Sequence, residues 1–117
     1  MLGRAIRPAF FQKYYYEHMQ YLTLEEIKKQ CVIDPQFTED DSFLEMIGDA
    51  AEDMTAQLLD CPLADVEAHY GQLPATIQHA MRILVDYYYA VNRGSSDNDK
   101  EIPEAVFLML KLFRQFN

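Results

Sequence analysis

Apolar residues recurring every three to four positions, in stretches opened by a proline or a capping residue, confine this chain to helices. One such stripe is Phe43, Ile47, Ala50, Met54 and Leu58, with Leu44 and Ala51 beside it. A 3.6-residue period held this long marks an amphipathic helix. Thr38-Glu39-Asp40-Asp41 opens it and puts acids in the first turn, where the helix dipole favours them. Glu45, Asp49, Glu52 and Asp53 then fall on the expected outer face. A second stripe, Ile77, Met81, Leu84, Tyr88 and Val91, with Ala80 and Val85 beside it, follows Leu73-Pro74. Proline suits a first turn because its missing N–H would have no partner there. Gly94 stops this helix, and residues 94–100 read as a polar loop. Ile102-Pro103 starts a last helix. Val106, Leu110 and Phe113 share one of its faces, while Phe107, Met109, Leu112 and Phe116 lie elsewhere. A helix apolar nearly all round is buried on more than one side. Val32-Ile33 is too short an apolar run to make a strand, and no period-two pattern appears elsewhere.

Shorter elements fill the gaps. Thr23-Leu24-Glu25-Glu26 is a capping box, in which the Thr oxygen takes a backbone N–H and Glu26 reaches back. The spacing predicts a helix over 24–31, with Leu24, Ile27 and Cys31 inward and Lys28 and Lys29 outward. Asp34-Pro35 breaks the chain. Leu63 to Tyr70 fits a short helix that Gly71 ends. Gly48, in a helix interior, signals either close packing or nothing of note. The expected fold is all-α: a compact bundle of four to five helices, two of them long (about 40–59 and 74–92), with a C-terminal helix over about 103–115.

A chain of 117 residues, half of them apolar, is the size of one domain with its own core. No apolar run approaches the ~20 residues that span a bilayer. Cys31 and Cys61 match no zinc spacing and read as reduced thiols. Residues 1–18 differ from the rest, carrying Arg4, Arg7 and Lys13 against Glu17 alone. They form an N-terminal extension to a domain over 19–117. Met19 offers an alternative start, a short helix from Phe10 to His18 is the other reading, and an organelle-targeting peptide is a weak third because the segment has no Ser. No signal core is present there, so secretion is not expected. The net charge of −9 is uneven: from Gln30 to Met81 there are eleven Asp or Glu and no Lys or Arg. Such a surface does not grip nucleic acid, whose binding rests on Lys and Arg. It does not forbid a surface that DNA passes without sticking, and the plain reading is a solvated, solubilising surface.

The usual chemistry is missing. There is no Gly-rich phosphate loop, and Ser42, Ser95 and Ser96 sit in no nucleophile elbow. Asp65 and His69 share a helical face, but His18 and His79 do not join them in any metal-binding spacing. The adjacent acids Asp40-Asp41 and Glu52-Asp53 do not face each other on a helix. No catalytic residue, metal ligand or cofactor site is expected. The runs Tyr14–Tyr16 and Tyr87–Tyr89 lack the interleaved basic residues of a nucleic-acid stacking surface. Tyr88 belongs to the core stripe. Tyr87 and Tyr89 point to packing or a subunit interface, where Tyr buries area at low entropic cost.

The order of elements carries a resemblance. Leu22-Thr23-Leu24-Glu25-Glu26-Ile27-Lys28 is followed by the Asp40-Asp41 helix start and the Ala50-Ala51 pair. Then come Leu73-Pro74-Ala75, Ile77, Ala80, the aromatic end near Tyr88, and Glu101-Ile102-Pro103 before a helix to Arg114. Over about residues 20–115 the chain resembles the small helical head–tail connector (head-completion) proteins of long-tailed bacteriophages and prophages. Residues 1–18 precede that family's usual start, and the 60–72 stretch looks more helical than a simple loop. The resemblance implies a virion component without catalytic activity, made in the bacterial host cytoplasm. It implies a self-assembled ring below the portal that extends the DNA channel and docks the tail. The implied partners are other copies of the chain, the portal protein and tail-completion proteins, with DNA passing non-specifically and no membrane involved. Tyr87, Tyr89, Phe107, Met109, Leu112 and Phe116 are the expected oligomer interface. Which acids face the lumen is not legible. The alternative, resting on the acidic block alone, is a helical regulator or DNA mimic that binds a basic partner.

Overall fold

The computed structural model describes residues 19–92 and 101–116. The extension over 1–18, the 94–100 loop and the Phe116 side chain lie outside the described residues. Five α-helices follow in order among those described: α1 (Leu24–Gln30), α2 (Asp41–Leu59), α3 (Leu63–Tyr70), α4 (Ala75–Asn92) and α5 (Glu104–Lys111). A 3₁₀ turn over Leu112–Phe116 ends the chain. The fold is the all-α bundle expected, except that the last helix tightens after Lys111 instead of running to 115.

Each boundary has a local cause. The capping box of α1 is complete, with the Glu26 N–H on Thr23 Oγ1 and the Thr23 N–H on Glu26 Oε1, both at 3.1 Å. Helix α2 stops at Asp60, a left-handed residue (φ 65°) followed by Cys61-Pro62. Helix α3 stops at Gly71, whose φ of 86° is one that glycine adopts without a Cβ clash. The Pro74 and Pro103 carbonyls accept the first bonds of α4 and α5, from Ile77 and Val106.

The centre of the bundle is α2 against α4, with α1 and α5 both packed on that pair. Phe43, in the first turn of α2, meets Tyr89, near the end of α4, with ring centroids 6.4 Å apart, so the two helices run antiparallel. On α4 the expected stripe is buried: Ile77, Ala80, Met81, Leu84 and Val85 are sealed from solvent, Tyr88 packs at the core edge, and Val91 at the far end is exposed. Each large side chain so buried contributes roughly 1.5–3 kcal/mol.

On α2 the buried face lies about one residue further along than the stripe read from the sequence. Leu44, Ile47, Gly48, Ala51, Glu52, Thr55 and Leu59 face inward, while Phe43, Ala50, Met54 and Leu58 are half-buried. The shift follows from small and polar residues doing inward work. Gly48 lets α1 close in: a Cβ there would overlap Met19 Sδ and lie 2.8 Å from Ile27 Cδ1. Thr55 returns its hydroxyl to the Ala51 carbonyl at 2.7 Å and is buried without an orphaned oxygen.

Two charged residues expected outside are inside. Glu52 accepts the backbone N–H groups of Gln20, Tyr21 and Leu22 at 2.7–2.8 Å, and Asp49 accepts that of Met19 at 2.8 Å. The entry segment bends at Gln20 and Tyr21 and belongs to no helix or strand, so these carboxylates supply its acceptors. Lys28 is also buried. Its ammonium donates to the Phe37 carbonyl at 2.7 Å and the Pro35 carbonyl at 3.2 Å, and pairs with Asp41 at 2.9 Å. Two carbonyl bonds and the charge of Asp41 make the buried lysine tolerable, while the buried Asp41 Oδ1 takes part through charge alone and accepts no hydrogen bond. The loop from Cys31 to Asp40 is folded around that point.

Candidate assembly surface

The most concentrated apolar exposure lies on α5. Val106 and Leu110 face the core, and Phe113 packs at its edge, edge-on to Tyr70 with centroids 5.8 Å apart. A 100° step per residue turns Phe107, Leu108 and Leu112 away from that face, and they are 43%, 59% and 73% exposed. Phe107 and Leu108, together with Leu58 at the end of α2, Glu104 and the cations Lys111 and Arg114, border a groove of about 290 Å³. Isolated exposed apolar residues need no explanation, but a contiguous strip on one helix marks an interaction surface.

Not all the residues expected at an interface belong to this strip. Phe107 and Leu112 do. Met109 is half-buried against the core and has turned inward. Tyr87 and Tyr89 are half-buried on α4; Tyr87 lies edge-on to Tyr88 at 5.4 Å, and Tyr89 packs on Phe43. Leu108 was missed, although it lies four residues before Leu112 and shares its side of the helix.

A second apolar exposure sits on the α1–α2 loop. Val32 is 91% exposed and adopts a left-handed backbone (φ 59°), while Phe37 is 40% exposed. A left-handed conformation costs a non-glycine residue roughly 1–2 kcal/mol, and more effort is needed for a β-branched one. Sequence reading dismissed Val32-Ile33 as a failed strand. The available signal was two apolar residues just before an Asp-Pro break, with no helical face to join.

Titratable groups serve the scaffold. Burial raises the Cys31 thiol to about 11, helped by Asp86, whose carboxylate lies 3.9 Å from the sulfur. Burial also raises Tyr21 to about 12, helped by the hydrogen bond its hydroxyl donates to Glu67 at 3.0 Å. That bond ties the entry segment to α3. Burial likewise raises Tyr88. Cys31 and Cys61 are free and half-buried. Asp65 and His69 are exposed on α3, and among the described residues no three His, Cys, Asp or Glu side chains converge to hold a metal.

The family model for phage gp6-like head-tail connector proteins matches residues 21–114. The chain belongs to that family. No curated protein and no solved structure matches it. The match begins two residues after Met19 and ends at Arg114, so all five described α-helices, with both apolar exposures, lie within the connector unit. Its family is one of structural phage proteins, virion components that assemble with other head and tail proteins, and not one of enzymes. No helix among the described residues of this connector is long and apolar enough to cross a membrane.

Proposed function

We propose that the chain is a ring-forming connector subunit, made in the host cytoplasm, that sits below the portal, extends the DNA channel and docks the tail. The observation that carries this reading is the α5 strip. Helices α2 and α4 already close the core, yet Phe107, Leu108 and Leu112 remain in water beside Lys111 and Arg114. In a connector protein such a strip has neighbouring copies as its natural cover. The acidic surface supports the channel role: Asp53, Asp65 and Glu67 are exposed, and carboxylates along a channel repel phosphates and let DNA slide.

Light scattering and negative-stain microscopy of the purified chain, alone and with purified portal, test this. Rings, or stoichiometric addition to the portal, are expected. A chain that stays monomeric and joins neither portal nor tail-completion protein refutes the reading.

A further inference from the structure

A closed ring is built from a head-to-tail contact, which joins two different patches of the same chain. The bundle carries two suited to each other. The α5 groove lies by Leu58, at the end of α2. The α1–α2 loop is pinned at the start of α2 through Asp41. Those ends are roughly 25 Å apart at about 1.5 Å per residue, so the patches occupy different regions of the subunit.

Their character is complementary. The loop over 31–40 presents Val32 and Phe37 with Asp34 and Glu39 and contains no Lys or Arg, although the exposed Lys29 borders the same hollow as Val32 and Asp34. The groove presents Leu58, Phe107 and Leu108 with Lys111 and Arg114, and Glu104 lies on its rim. The loop is also preorganised. Lys28 holds its Pro35 and Phe37 carbonyls, and Asp34 accepts the Gln36 N–H at 2.9 Å. Val32 is displayed in its left-handed conformation without packing on the core. We propose that neighbouring copies join head-to-tail, the Val32–Phe37 knob of one seating in the Leu58–Phe107–Leu108 groove of the next, with Lys111 and Arg114 facing Asp34 and Glu39. This rests on the ring reading above and names the contact that builds the ring.

The test uses two full-length variants, Val32→Asp and Leu108→Asp, each at a well-exposed position and each checked for native helicity and melting. Assembly is measured by native mass spectrometry and by addition to purified portal. Each variant alone is expected to lose at least ten-fold in assembled mass. Mixed at near-millimolar concentration and followed by sedimentation, they are expected to form a 1:1 pair and stop, because one keeps its groove and the other its knob. Charge exchange gives a second arm: Asp34→Lys alone and Lys111→Glu alone each weaken assembly, and the double variant recovers it. Wild-type rings with unaffected single variants, or a mixture that makes no pair, overturn the knob-and-groove contact. A wild-type chain that assembles neither alone nor on the portal overturns the ring reading itself.

Discussion

Replacing Glu52 by Ala removes the acceptor of three backbone N–H groups at once. The Gln20 N–H binds Oε1, and the Tyr21 and Leu22 N–H groups share Oε2. Leu22 is 4% exposed, so its N–H has no water to turn to, and losing that charged acceptor costs roughly 1.5–3 kcal/mol. Gln20 is exposed and Tyr21 half-buried, so their N–H groups recover part of the loss from solvent, at about 0.5–1 kcal/mol each. The total is about 2.5–5 kcal/mol, before any loosening of the Leu22 side chain in the core. For a domain near 100 residues each kcal/mol is worth about 4–8 °C, so melting should fall by roughly 10–40 °C. Glu52→Gln keeps the shape but offers one oxygen and turns an NH₂ toward the N–H groups, for an expected loss of about 2–3 kcal/mol. Asp53→Ala, next door but exposed, should stay within about 0.5 kcal/mol. Thermal melts by circular dichroism give the energies. Hydrogen exchange should show the amides of 20–22 losing protection before those of α1. A Glu52→Ala chain within about 1 kcal/mol of wild type, with those amides still protected, would show that Glu52 does not hold the entry segment.

Further outcomes follow from the same geometry. Lys28→Met should cost about 3 kcal/mol, since it strands Asp41 and frees two loop carbonyls, and should raise proteolysis within 31–40, read by limited digestion. Cys31 should alkylate slowly at pH 8, with a pH–rate midpoint near 11; Asp86→Asn should lower the midpoint only part-way, because burial is the larger cause. The raised Cys31 and Tyr21 values also set a direction. The folded chain holds these protons more tightly than the unfolded one, so stability is full below about 9 and declines as pH rises through 9–11 for Cys31 and 10–12 for Tyr21, measurable as a fall in melting temperature above pH 9. We propose Met19 as the start of the folded unit: a chain beginning there places its ammonium 2.8 Å from Asp49 and should melt within a few degrees of the full chain, whereas a drop of about 10 °C or more would show that residues 1–18 hold the bundle together.

What the sequence made legible was what repetition encodes. The α4 stripe contains four large aliphatic residues in register, so its periodicity identified the buried face. The α2 face was misplaced by about one residue because its inner positions include Gly48, Glu52 and Thr55, which no hydropathy pattern counts as core. Glu52 and Lys28 were read as solvated because charge usually is. Their burial depends on acceptors and donors brought in from 20–22 and 35–41, a long-range pairing with no local signature. The exposed strip on the last helix was half legible for a related reason. Excess apolarity on the last helix was visible, but assigning Leu108 outward and Met109 inward required knowing which face meets α2 and α4.

The strength of the inferred contact can be bounded. Burying what remains exposed of Val32, Phe37, Phe107 and Leu108 amounts to a little over two whole apolar side chains, or about 3–7 kcal/mol. Fixing one subunit against another costs an estimated 4–15 kcal/mol. Exposed ion pairs at Lys111 and Arg114 add about 1 kcal/mol or less each. The contact is therefore marginal by itself, weaker than the roughly 8 kcal/mol of a micromolar complex. A weak contact of this kind makes ring assembly depend on holding neighbours side by side, which a portal does by raising their effective concentration. The isolated chain should thus be mainly monomeric at about 1 μM in sedimentation, self-associate as concentration rises toward the millimolar range, and assemble at micromolar concentration once portal is added. A ring that persists at nanomolar concentration without portal would show that a larger surface than these four side chains holds the subunits together.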